Sequence, residues 1–138
     1  MRPVLTPEAA LIYVMVIVSA SDAEMSDAEL HAIGELVKTL PVFEHFEANG
    51  LIRVAQECTA VVQEEKGLDT ALQLIRDALP VNLRETAYAL ALEIALTHRP
   101  VVVEELRILD RLRHALSLDR LAAAALERAA QARFHRAP

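Results

Sequence analysis

The sequence predicts an all-α fold, a single compact domain of about seven helices, and three observations carry that prediction. The composition is 54% hydrophobic but only 4% aromatic, with no tryptophan, and alanine, leucine and valine supply most of the apolar surface. Only three glycines interrupt 138 residues. Good helix formers with so few breakers favour helices over sheet, and the length suits one domain that buries a real core. Third, residues 17–40 and 93–116 form a weak internal repeat at an offset of 76. In each copy a nearly unbroken apolar run passes through a polar turn into an amphipathic stretch. Two helix-turn-helix units follow, with repeat halves at about 7–40 and 83–116 of a single, pseudo-symmetric 1–138 domain.

The elements are read in chain order. Thr6 caps a first helix, Pro7 occupies its first turn, and the helix runs to about Ser21. It is apolar on every face and is expected to be the buried centre of the domain. Ser26 caps a second helix that reaches Leu40 and stops at Pro41. Leu30, Ile33, Leu36, Val37 and Leu40 form its apolar stripe. A connector carrying Phe43 and Phe46 leads to Asn49-Gly50, which opens a third helix through about Glu65. Leu51, Val54, Cys58, Val61 and Val62 are expected inward, and Gly67 is expected to end the helix. Asp69 starts a fourth helix to Leu79, closed by Pro80. Leu83 to Leu96 is the fifth, nearly all apolar and the counterpart of the first. Val102 to Leu116 makes a sixth, and Asp119 caps a seventh that ends in the polar tail Arg133 to Pro138.

Charge separates the halves. Residues 1–69 hold twelve acids and four Lys/Arg, a balance of −8, whereas residues 70–138 hold eight acids and ten Arg, a balance of +2. An acidic half fits a cation or a basic partner better than a nucleic acid, and no basic groove with interleaved aromatics exists, so nucleic-acid binding is not expected. The apolar run Ala9 to Ala20 resembles a signal peptide or anchor, but it falls short of the roughly 20 residues that span a bilayer. Arg2 alone is a poor basic leader, and Thr6-Pro7-Glu8 is a good helix start. No membrane insertion is expected, and the run reads as a core helix of a cytoplasmic protein. The single cysteine, Cys58, excludes an intrachain disulfide and fits a reducing compartment. No basic neighbour lowers its thiol pKa, so packing is the expected role rather than redox chemistry.

The turns of the two copies hold the candidate chemistry. The first reads Asp22-Ala23-Glu24-Met25-Ser26-Asp27-Ala28-Glu29-Leu30, and the second His98-Arg99-Pro100-Val101-Val102-Val103-Glu104-Glu105-Leu106. In each, a side chain able to ligate a metal stands seven residues before a glutamate–leucine pair. Hard cations take several oxygen ligands, and a short interhelical loop converges carboxylates and carbonyls. The competing reading is structural. Ser26-Asp27-Ala28-Glu29 is a capping box in which Glu29 reaches back to the Ser26 N–H, with Met25 and Leu30 placed for a hydrophobic staple. Val102 stands where Ser26 does, so the reciprocal box cannot form there, yet Glu105 persists. The spacing is not that of an EF-hand. His98 would lean a mixed site toward zinc or a similar ion, and its alternative role is a helix C-terminal cap. Glu93 either faces a polar interior site or marks the solvated edge of the fifth helix. Arg107, Arg111 and His114 form either a salt-bridged surface with Glu104 and Asp110 or a partner-binding stripe. No phosphate loop, G-x-S-x-G, H-E-x-x-H or paired-cysteine motif is present, and an enzyme is not expected.

These turn residues carry a resemblance. An apolar helix followed by Asp-[Gly/Ala]-x-[apolar]-[Ser/Thr]-x-x-Glu, repeated in a helical chain of this length, resembles the tellurite-resistance TerB family. The match is Asp22 to Glu29, with a second copy at His98 to Glu105, and the likeness runs from about Leu11 to Leu126. It implies a TerB-like fold of two pseudo-symmetric halves, a stress-response role associated with tellurite resistance, and an acidic cluster that binds a divalent metal. Carried over by position, Asp22 and Glu29 are the primary ligands, with Glu24, His98 and Glu105 in support. The ion would be zinc, manganese, calcium or magnesium. Ala23 replaces the usual glycine, and His98-Arg99 replaces the second Asp-Gly, which removes a carboxylate and adds a positive charge. The partner is either another protein or a second copy of the chain. The alternative is a purely structural interaction or homodimerisation domain without metal.

Overall fold

Helix-forming runs punctuated by caps and prolines produce seven α-helices in the computed structural model, which describes residues 4–20, 25–97 and 101–138. They are α1 (Pro7–Ser19), α2 (Asp27–Thr39), α3 (Leu51–Val62), α4 (Gly67–Ala78), α5 (Val81–Thr97), α6 (Val103–Ala115) and α7 (Arg120–Arg133). Two short 3₁₀ turns, Pro41–Phe43 and Ala48–Gly50, fill the connector between α2 and α3. No strand occurs among the described residues. The all-α prediction holds, and each predicted helix is found within a few residues of its expected limits.

Local capping explains the boundaries. The Thr6 hydroxyl accepts the Ala9 N–H at 3.1 Å with Pro7 in the first turn of α1, and Asp119 accepts the Ala122 N–H at 3.1 Å to start α7. Each satisfies a donor that the first helical turn leaves open. From Ala10 to Ser19 every side chain of α1 is buried, as its lack of a polar face requires. It packs against α2, α3, α4, α5 and α6.

The helix partnerships exchange between the two halves of the chain. As α1 packs on α3, so α5 packs on α7; as α1 meets α6, so α5 meets α2. The helices α1 and α5 pack directly on each other, and α4 joins α1, α3 and α6. One buried cluster runs through all of them, with Leu11, Met15, Ile33, Ile75, Ile94 and Leu112 among its members. Cys58 is fully buried in it, and its thiol donates to the Tyr13 carbonyl at 3.9 Å. Burial pushes that thiol up to about 12, which keeps it protonated and inert. The packing role expected of it is observed.

The turn after α3 departs from expectation. Gly67 does not end α3 but begins α4, and α3 stops at Val62 rather than near Glu65. The left-handed residue is Lys66, with φ 55°. A Cβ on Gly67 would lie 2.2 Å from the Val62 carbonyl oxygen, so glycine is needed there for close approach and not for a left-handed cap. Val62 is 38% exposed and belongs to the surface, because α3 turns its inward face through Leu51, Val54, Ala55, Cys58 and Val61.

Candidate functional site

The first turn into α2 is built on two reciprocal hydrogen bonds. Ser26 sits in extended geometry, φ −79° and ψ 165°, and its hydroxyl accepts the Glu29 N–H at 3.2 Å. Glu29 Oε1 in return accepts the Ser26 N–H at 3.0 Å. This is the predicted capping box, and it satisfies two donors that helix geometry leaves open. Met25 and Leu30, one on each side of the box, are partly buried against the core, as the staple requires. Glu29 is only 9% exposed, an uncommon place for a glutamate.

The turn into α6 keeps half of this arrangement. Val102 is again extended, φ −94° and ψ 161°. Valine carries no acceptor, so the Glu105 N–H turns to the Val102 carbonyl at 3.1 Å. The return half survives unchanged, with Glu105 Oε1 accepting the Val102 N–H at 3.1 Å. Glu105 is 4% exposed, more deeply set than its counterpart. Val101 and Leu106 stand 76 residues after Met25 and Leu30, but Leu106 is 56% exposed where Leu30 packs on the core.

Of the five expected ligands, Glu29 and Glu105 occupy equivalent third positions of α2 and α6, each with one carboxylate oxygen anchored by a backbone N–H. Asp22, Glu24 and His98 lie outside the described residues. Among the described residues no group of three His, Cys, Asp or Glu side chains converges on one point. Each turn therefore supplies one positioned, buried carboxylate, and hard cations require further oxygen ligands beyond it.

Other charged positions resolve into pairs. Glu93 meets Arg133 of α7 at 3.2 Å, so it marks the solvated edge of α5 rather than an interior site. Arg111 pairs with Asp69 of α4, and the His114 Nδ1 lies 2.8 Å from the Asp110 carbonyl. A salt-bridged surface describes Arg111 and His114 of this stripe, and the Arg111 partner comes from α4.

Two long-range features had no local sequence signal. The buried Tyr88 hydroxyl donates to Glu127 Oε2 at 2.6 Å, across 39 positions. Arg76 donates to the Ala115 carbonyl and, at 2.8 Å, to Ser117 Oγ, while Arg84 donates to the Leu116 carbonyl at 3.4 Å. These guanidinium groups satisfy the open carbonyls at the end of α6 and complement its dipole. A hollow of about 690 Å³ lies by the start of α1, walled by Tyr13, Phe46 and Val54 and edged by Glu8, Glu47 and Glu57.

The molecule is thus an all-helical domain in which two helices begin on buried, N–H-anchored glutamates spaced 76 residues apart. The family described as tellurite resistance protein TerB matches residues 8–129, most of the chain, and the protein belongs to that family. Neither the curated proteins nor the solved structures yield a match. Membership makes this a tellurite-resistance-like domain. Among the described residues no helix is long and apolar enough to cross a membrane.

Proposed function

We propose that this TerB-family protein is a cytoplasmic, non-enzymatic stress-response module that binds a divalent metal at its acidic interhelical turns and passes that state to a protein partner. The observation that carries the reading is the pair Glu29 and Glu105. Both are buried glutamates at equivalent helix starts, each held by a backbone N–H. Each follows by seven residues a side chain of ligand type, Asp22 or His98. Capping accounts for Glu29, whose serine completes a box, better than for Glu105, whose valine does not. In this reading Asp22 and Glu29 are the primary ligands, and Glu24, His98 and Glu105 complete or extend the site. Bound metal would add positive charge to a half of balance −8 and draw the turn onto the start of α2.

A second reading is favoured by the hydrogen bonds themselves. The glutamates already serve the helix starts, and a structural interaction or homodimerisation domain needs nothing more from them. Calorimetric titration of metal-free protein with Zn²⁺, Mn²⁺, Ca²⁺ and Mg²⁺ separates the two. Stoichiometric binding that Asp22→Ala abolishes supports the metal module, and a preference for Zn²⁺ would implicate His98. Absence of heat with every ion would leave the turns as caps and favour the structural domain.

A further inference from the structure

We infer that the hollow between α5, α6 and α7 binds an aliphatic monocation, with Glu127 as its counter-ion. The hollow measures about 400 Å³, within the ~300–1,000 Å³ typical of small-ligand sites. Leu92, Leu96, Val101, Leu106 and Leu109 form an apolar wall, and Tyr88, Asp110, Arg113, Glu127 and Gln131 form the polar part. Leu106 is 56% exposed, which leaves that part of the apolar wall open to solvent.

The electrostatics of the polar part select the charge. Arg113 is engaged by Asp110 at 2.6 Å. Glu127 receives the hydroxyl of the buried Tyr88 at 2.6 Å and has no ion-pair partner among the described residues. Burial and the bond to Glu127 raise the Tyr88 pKa above the ordinary phenol range, so the hydroxyl remains a donor and holds the carboxylate in place. Among the described residues of the lining, two carboxylates and one guanidinium leave one negative charge in excess beside an apolar wall. A partly desolvated carboxylate is costly without a cation, and an alkyl chain ending in an ammonium satisfies the charge and the wall together. Both a free alkylamine and a lysine side chain have this chemistry.

The repeat supplies an internal comparison. Met25 and Leu30, the counterparts of Val101 and Leu106, line a hollow of about 370 Å³ with Ile52 and Ala55. Its polar groups are Gln56, Thr59 and Gln63, and none is charged. The apolar element recurs in both halves, but only the second hollow carries a carboxylate, so only the second should discriminate a cation.

Methyl NMR titration in the presence of a chelator tests the assignment, with n-hexylammonium, n-hexanol and N-acetyl-lysine amide as probes. Hexylammonium should shift the Val101, Leu106 and Leu109 methyl signals saturably, and hexanol should bind at least about tenfold more weakly, as the loss of one charge-assisted contact predicts. Glu127→Gln, which keeps an acceptor for Tyr88, should weaken hexylammonium by about tenfold. Leu106→Ser, at an exposed position, should weaken both probes and leave the melting temperature unchanged. Saturation of the same signals by N-acetyl-lysine amide would identify a lysine side chain as the natural occupant, and binding of hexylammonium alone would identify a free amine. No saturable shift, equal binding of hexanol, or equal shifts at Met25 and Leu30 would overturn the assignment. Because metal is chelated throughout, neither result depends on the turns into α2 and α6.

Discussion

The carboxylate of Glu105 accepts the backbone N–H of Val102 at 3.1 Å, although Val102 returns no side-chain hydrogen bond. At the equivalent place Glu29 and Ser26 exchange two such bonds. The part common to both turns is therefore the glutamate and its backbone anchor, not the complete box. A position retained in structure while its capping partner is absent is where a second role for the side chain is best sought.

Substitution should separate anchoring from charge. Glu105→Gln keeps an oxygen for the Val102 N–H and should cost less than Glu105→Ala, which should cost about 1–2 kcal/mol by losing the bond and opening a buried site. Ser26→Ala should cost about 1 kcal/mol. Urea unfolding followed by circular dichroism measures all three, and equal losses for Gln and Ala would contradict the anchoring role.

The turn between α3 and α4 makes an asymmetric prediction. Gly67→Ala places a Cβ against the Val62 carbonyl and should destabilise by about 1–3 kcal/mol. Lys66→Gly relieves the left-handed conformation at φ 55° and, after the added freedom of the unfolded chain, should gain about 0.5–1 kcal/mol. Thermal melts of the two variants should shift in opposite directions.

Arg76 ties α4 to the end of α6 through the Ala115 carbonyl and Ser117. Arg76→Ala should cost about 1–2 kcal/mol, and amide hydrogen exchange should quicken first in the last turn of α6. A uniform increase across the whole chain would instead indicate a global loss of packing.

Alkali should weaken the fold. The Cys58 thiol moves from 9.0 up to about 12 through burial, and Tyr13 from 10.0 up to about 12, through burial first and then the nearby Cys58 and Glu57. Both groups keep their protons in the folded state and lose them more readily when unfolded. Their contribution is therefore complete below about pH 9 and declines as pH rises from there toward 12. Denaturant midpoints between pH 8 and 11 should fall, and Cys58→Ala should flatten the slope. At pH 8 a thiol reagent should label Cys58 only at the rate of unfolding.

What the sequence disclosed follows the range of the interactions. The starts of α1, α2 and α7 rest on bonds three residues apart, Thr6 to Ala9, Ser26 to Glu29 and Asp119 to Ala122, and their residue types announce them. Gly67 was misleading because a glycine after a helix reads as a left-handed cap, whereas here Lys66 takes that conformation and Gly67 answers a steric demand from Val62. The repeat and the capping pattern drew attention to Glu29 and Glu105, but their burial depends on how α2 and α6 pack. The pairs Glu93–Arg133 and Tyr88–Glu127 span 40 and 39 positions, and no local pattern encodes either.

Paramagnetic Mn²⁺ is the most direct test of metal binding at the anchored glutamates. Added to metal-free, isotope-labelled protein, it should broaden the amide signals of Ser26 and Glu29 at substoichiometric ratios, with Val102 and Glu105 following at the weaker second turn. Glu29→Gln, which preserves the helix start, should abolish the first effect. Sharp signals at all four amides with Mn²⁺ in excess, or broadening indifferent to Glu29→Gln, would contradict a metal role and leave both glutamates as helix caps.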